Sequence, residues 1–295
     1  MNLNPYRVPS GIWKGKILSS LMLGVGLIGA SPLCAQTAGF AYVANGSDGD
    51  IGNISAYSIN ATTGALTPIP GSPFVGGEEA AQVTVHPSGR FVYVVNEGSS
   101  DVSAYTINAT TGALTPVPGS PFGAEAFALP SSMAVSPSGR FAYVVNSITG
   151  NVSAYAVNAT TGALTPMPGS PFPSEFGSLS IAVSPNGKFA YVTNGGVSAY
   201  TIKAITGALT PVPGSPFAAA AGPASVAVSP NGRFAYVANE GSSDVSAYAI
   251  NESTGALTPV PGSPFAVEAF GEPTSVAVSA NGRFAYVVNE ELNNV

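Results

Sequence analysis

Few side chains in this 295-residue protein can do chemistry: 15 carboxylates, nine cations and a single histidine, His86. His86 is a candidate general base, because an imidazole takes up and releases a proton near neutral pH. No sequence neighbour would orient it, and Ser136, Ser184, Ser229 and Ser279 hold the same place in related stretches, so a drifted turn residue explains it more simply. Glu78, Glu79, Glu125, Glu175, Glu268 and Glu272 form a candidate ligand-binding set. Asp48, Asp50, Asp101 and Asp244 lie in short loops and offer oxygen ligands to a divalent cation such as calcium, which would polarise a carbonyl and acidify a bound water. None of these loops carries a complete calcium-binding pattern, so the reading without a cofactor stands first.

The elements that must position these residues repeat. FAYVAN at Phe40–Asn45 returns in near-identical form at Phe91, Phe141, Phe189, Phe234 and Phe284, and PGSPF recurs at Pro70, Pro118, Pro168, Pro213 and Pro261. Self-similarity at a period near 50 residues marks an array of small units, each too small to bury its own faces. Chemistry is therefore expected where the copies differ.

The unit from Ala218 to Phe265 predicts four strands. Ser225–Ser229 alternates Val with small residues, Asn231-Gly232 makes a tight turn, and Phe234–Asn239 is aromatic and β-branched. Val245–Ile250 is the third strand and Ala256–Val260 the fourth, placed at an edge by Pro259, which cannot donate to a ladder. The expected fold is all-β, a β-propeller of four-stranded antiparallel blades. SPNGRFAYVAN at Ser229, VSAYAI at Val245 and STGALTPV at Ser253 resemble the repeat of the lactonase-type β-propellers, the 6-phosphogluconolactonase-like and YVTN-repeat proteins. The resemblance implies seven blades and a lactone-opening hydrolase. This chain supplies about five: a partial blade at 40–74, blades at 75–122, 123–172, 173–217 and 218–265, and a partial blade at 266–295. Val295 aligns with Val245, the first residue of a third strand, so the sequence reads as truncated, about 100 residues short of seven blades of about 50 each.

Strand alternation puts the loops before each first strand and between second and third strands at one end of the blades. The candidate glutamates and aspartates fall in these loops, with Glu97, Glu240, Glu290 and Glu291. Arg90, Arg140, Lys188, Arg233 and Arg283 fall in the first turns at the other end. The expectation is an acidic face that draws cations and cationic groups and repels anions, which disfavours a phosphorylated substrate. The plain alternative is that the acids only solubilise exposed loops.

Arg7, Lys14 and Lys16 precede an apolar run to about Ala30 and a small-residue cleavage site after Ala35, so residues 1–35 read as a signal peptide and the protein as periplasmic or secreted. After cleavage no cysteine remains, which removes disulfide and thiol chemistry, and no membrane span is left. No basic stripe suggests nucleic acid, and a monomer is expected. Three functions stay open: a binding or scaffold module for a small molecule, glycan or protein at the acidic face; a hydrolase opening a sugar lactone; and a structural surface-repeat protein.

Overall fold

The computed structural model describes residues 37–46, 49–124, 128–267 and 271–290. The signal peptide expected at 1–35, and Asp48, Glu125, Glu268 and Glu291, lie outside the described residues. The described chain is almost entirely strand and turn, with one short 3-10 turn at Glu240–Ser242. No helix among the described residues is long and apolar enough to cross a membrane.

Six antiparallel sheets, I to VI, follow one another in sequence. Sheet II shows the plan: Ala80–Val85 pairs with Phe91–Asn96, which pairs with Asp101–Ile107, which carries Leu114–Pro116 on its far edge. Sheets III, IV and V repeat this order. Sheet I begins at the second position with Thr37–Asn45, and sheet VI comprises Pro273–Val278 and Ala285–Asn289.

The outer edge differs from the sequence expectation. Its strand is split: Leu114–Pro116 covers one half of the third strand, and Phe122–Gly123 returns to cover the other half. The intervening PGSPF turn contains a cis Ser120–Pro121 bond, matched by cis Ser-Pro bonds at Ser72, Ser170, Ser215 and Ser263. The gap would orphan an N–H in the middle of the third strand. The Ser120 hydroxyl fills it by accepting from Ala104 N at 2.8 Å, and Ser72, Ser170, Ser215 and Ser263 do the same for Ala56, Ala154, Ala199 and Ala247. The recurrence of PGSPF thus has a hydrogen-bonding reason.

The core is a series of layers between neighbouring sheets. Tyr93, Val95, Val102 and Ala104 of sheet II pack against Met133, Ala142, Val144 and Tyr155 of sheet III, and equivalent layers join I to II, III to IV and IV to V. Second strands such as Phe141–Asn146 are buried along their whole length, so they read as unbroken apolar runs rather than alternating ones.

Polar latches register the layers. The second-strand tyrosines Tyr42, Tyr93, Tyr143 and Tyr191 donate to the carbonyls of Gly112, Gly162, Gly207 and Gly255 in the next sheet's outer turn, at 2.7 to 3.1 Å. Third-strand tyrosines bond backward: Tyr105, Tyr155, Tyr200 and Tyr248 donate to Val75, Gly123, Pro173 and Ala218 carbonyls. Along the innermost strands, the Gln82, Ser132, Ser180 and Ser225 side chains accept from the N–H of Met133, Ile181, Val226 and Val276. Tyr143→Phe keeps the ring and leaves the buried Gly207 carbonyl without its donor. Denaturant titration should show a loss of about 1–2 kcal/mol, and an unchanged midpoint would show that the latch contributes nothing.

Candidate functional site

The catalytic candidate His86 and the first-turn residues Arg90 and Arg140 serve to join sheets. His86 is buried at the end of the innermost strand of sheet II. Its Nδ1 accepts from Ser88 N at 3.1 Å, leaving Nε2 as the donor to Gly139 O at 2.8 Å in the matching turn of sheet III. Both ring nitrogens are thus held by neighbours, and the ring packs edge-on to Phe91. At the same end, the Arg90 guanidinium donates to the Ala159 and Thr160 carbonyls and lies 5.3 Å over the Phe91 ring. Arg140 repeats this with Ala204, Ile205 and Phe141.

The acidic candidates separate into three groups. Asp101 and Asp244 accept from Asn96 and Asn239 at 2.6 and 2.7 Å, each closing a hairpin end. Asn151 does the same for Asn146, so the task needs an oxygen and no charge. Glu78 and Glu79 crowd Gly98, and Glu79 Oε1 accepts from Gly49 N at 2.8 Å, tying the loop of sheet I to the lead-in of sheet II. Glu79 and Glu272 have positive φ, 52° and 38°, where sheets IV and V use Gly177 and Gly222. Among the described residues no three His, Cys, Asp or Glu side chains gather as a metal-ligand group, and the Asp50 carbonyl accepts from Glu79 N.

Glu175 belongs to a different place. A cleft of about 340 Å³ opens between sheets IV and V, lined by Gly177, Leu179, Asn194, Gly195, Gly222, Pro223, Glu240 and Gly241. Its origin is a shortened loop. Two residues separate Asn194 from Val197, where five separate Asn146 from Val152. In sheets I and III the longer loop reaches the next lead-in: Glu79 N donates to Asp50 O and Gly177 N to Ser147 O. The short loop of sheet IV makes no such bond to Gly222 among the described residues, and the missing bridge leaves the cleft. Bare glycine backbone forms much of the wall, so a ligand can approach the peptide groups closely. A Cβ on Gly195 would meet only Glu175 Oε2, at 3.8 Å, which puts that carboxylate beside the opening. The Asn194 amide is engaged with Ser198 Oγ and Gly196 N.

The cleft thus has the carboxylates of Glu240 in its lining and of Glu175 beside Gly195. The sequence profile of the family described as lactonase, 7-bladed beta-propeller, matches residues 38–175 and 180–295. The protein belongs to this lactonase family. The two matched stretches part at the lead-in to sheet IV, the segment that supplies Gly177 and Leu179 to the cleft. Solved structures agree with the fold. A 6-phosphogluconolactonase-like protein of Bacteroides uniformis superposes with a TM-score of 0.73 at 19% identity, covering 88% of this chain and 80% of that one. The periplasmic gluconolactonase of Pseudomonas aeruginosa gives 0.63 at 22% identity, with 77% and 69% covered. A protein from Lactobacillus plantarum gives 0.67 at 23%, with 85% and 74% covered. Among proteins with curated descriptions, none matches the chain.

Of the six glutamates of the candidate ligand-binding set, Glu175 comes to this cleft, joined by Glu240 from the acidic loops. Gly177, Gly195, Gly222 and Gly241 were missed as site residues, although the contraction at Asn194-Gly195-Gly196 was visible in the sequence as a break in the repeat.

Proposed function

We propose that this lactonase-family propeller is an exported hydrolase that opens a small lactone bound in the cleft between sheets IV and V. The observation that carries the reading is that cleft: the repeat departs from its own plan there and leaves a glycine-walled cavity bordered by carboxylates. Family membership supplies the reaction class. In the proposed step, a Glu240 carboxylate takes a proton from water as the water oxygen bonds the ring carbonyl carbon. The ring C–O bond then breaks, and the proton passes to the departing alkoxide to give a hydroxy acid. Nothing in this scheme needs a cofactor. Export to the periplasm or medium is supported by the leader pattern in residues 1–35.

Lactone turnover, followed as acid release, tests the reading. Glu240→Gln should lower kcat at least about a hundredfold, the lower end of the range for a general base. His86→Ser, which copies the other repeats, should leave turnover intact and lower stability by about 1–2 kcal/mol through the lost Gly139 bond. Loss of turnover in His86→Ser with stability unchanged would move the chemistry to the opposite end of the strands. Tight binding of a lactone or glycan without turnover would favour the binding-module reading, to which the structural use of His86 and the repeat arginines lends support.

A further inference from the structure

We infer that the cleft between sheets IV and V selects by charge, admitting uncharged lactone rings and turning away phosphorylated or carboxylated ones, with Glu175 as the specificity-determining residue. This rests on the lactone reading above and adds the substrate class to it. The sequence alone disfavours anions only as a property of a whole face. The structure makes the effect local and assigns it to particular residues.

Glu240 lines the cleft, and Glu175 holds its carboxylate beside Gly195 at the opening. None of the lining residues is Lys, Arg or His. The cations of the two flanking sheets, Lys188, Lys203 and Arg233, sit at the far ends of the strands Phe189–Thr193, Val197–Ile202 and Phe234–Asn239. A five- to six-residue strand at about 3.3 Å per residue puts them roughly 16–20 Å away, about two screening lengths in physiological salt. The Arg233 guanidinium is drawn over the Phe234 ring, 6.0 Å from its centroid. A phosphate in the cleft would therefore meet two carboxylates at close range, with no Lys, Arg or His among the residues lining it. Anion sites use Arg, Lys or a helix N-terminus, and the only helical segment at the cleft, Glu240–Ser242, is a single turn with an acidic residue at its start.

The opening can also be closed without backbone strain. Gly177 and Gly222 have φ of 77° and 65°, so a side chain there would distort the wall, whereas Gly195 is outside the left-handed region and a Cβ on it would make only an ordinary contact with Glu175 Oε2. Gly195→Leu should fill the cleft in a protein that still folds.

The test compares gluconolactone with its 6-phosphate on the full chain, by kcat/KM and, separately, by calorimetric binding. The neutral ring should be preferred at least tenfold at low salt, and the ratio should shrink as ionic strength rises. Glu175→Gln should narrow the ratio at least threefold. Gly195→Leu should abolish binding of both rings while leaving the thermal midpoint near that of the parent. Equal or better use of the phosphorylated ring, or a ratio indifferent to salt and to Glu175→Gln, overturns the charge rule while the hydrolase reading survives. A charge preference in binding with no turnover of either ring overturns the hydrolase reading and leaves the rule standing. Binding that persists in Gly195→Leu places the ligand elsewhere and overturns both.

Discussion

Gly162→Ala should destabilise the protein by about 3 kcal/mol or more, a large share of the 5–15 kcal/mol that holds a typical domain together. Three demands meet at this residue. Its φ is 77°, a region that costs an L-residue about 1–2 kcal/mol. An added Cβ would meet the Phe91 ring of the preceding sheet at 2.5 Å, and overpacking of that kind typically costs another 1–3 kcal/mol. Its carbonyl accepts the Tyr93 hydroxyl, so any retreat of the turn also strains a buried hydrogen bond. Gly89→Ala is the matched control: φ is 68° and nothing lies within 4 Å of its Cβ, so only the backbone part, about 1 kcal/mol, should appear. Equilibrium denaturation of the two variants separates the terms. Equal losses would mean that the phenylalanine-on-glycine contact does not hold neighbouring sheets together.

Raising the pH should unfold the protein steeply above pH 10. Burial pushes the hydroxyls of Tyr42, Tyr93, Tyr143 and Tyr191 well above the ordinary tyrosine value of 10. Burial also raises Tyr105, Tyr155, Tyr200 and Tyr248, partly offset by hydrogen bonds from serines. Above pH 10 the folded state keeps protons that the unfolded chain has released. Stability is therefore fully present below pH 10 and falls as pH climbs toward the higher folded values, by about 1.4 kcal/mol per pH unit for each such tyrosine. The four second-strand tyrosines together give a slope of about 5 kcal/mol per unit. Circular dichroism should drop in one transition, with tyrosinate absorbance rising in step. Tyr143→Phe should flatten the slope by one tyrosine's share. Gradual tyrosinate formation below pH 10 with the fold intact would show that these hydroxyls are not closed off.

The candidate site was only partly legible in the sequence. Asp101 looked like a ligand because it is a carboxylate in a short loop, yet Asn151 performs its task in the next sheet, and only the hydrogen-bond partner reveals that equivalence. His86 stood out as a break in symmetry. The break proved to be a different way of tying two turns together, since an imidazole reaches the Gly139 carbonyl across the sheet interface. The cleft arises from a deletion rather than from a residue type, and a scan for reactive side chains passes over glycines. The deletion takes on meaning only when the following lead-in is seen to lack the bridge that the longer loops of sheets I and III make to theirs.

The fold itself was within reach of the sequence, because repeat period, strand alternation and turn chemistry are local properties. Phe234–Asn239 was read as a strand with the bounds observed, and Pro259 was correctly sent to an outer edge. Burial and partnership are different, because they depend on what stands across the layer. Phe141-Ala142-Tyr143-Val144 and Phe284-Ala285-Tyr286-Val287 are the same four letters. Phe141 and Tyr143 are sealed against sheet IV, while Phe284 and Tyr286 are more than half exposed. The chain alone could specify each sheet. Which of its faces are core, which carboxylates are mere hairpin ties and where a cleft is left open were decided only when one sheet was laid against the next.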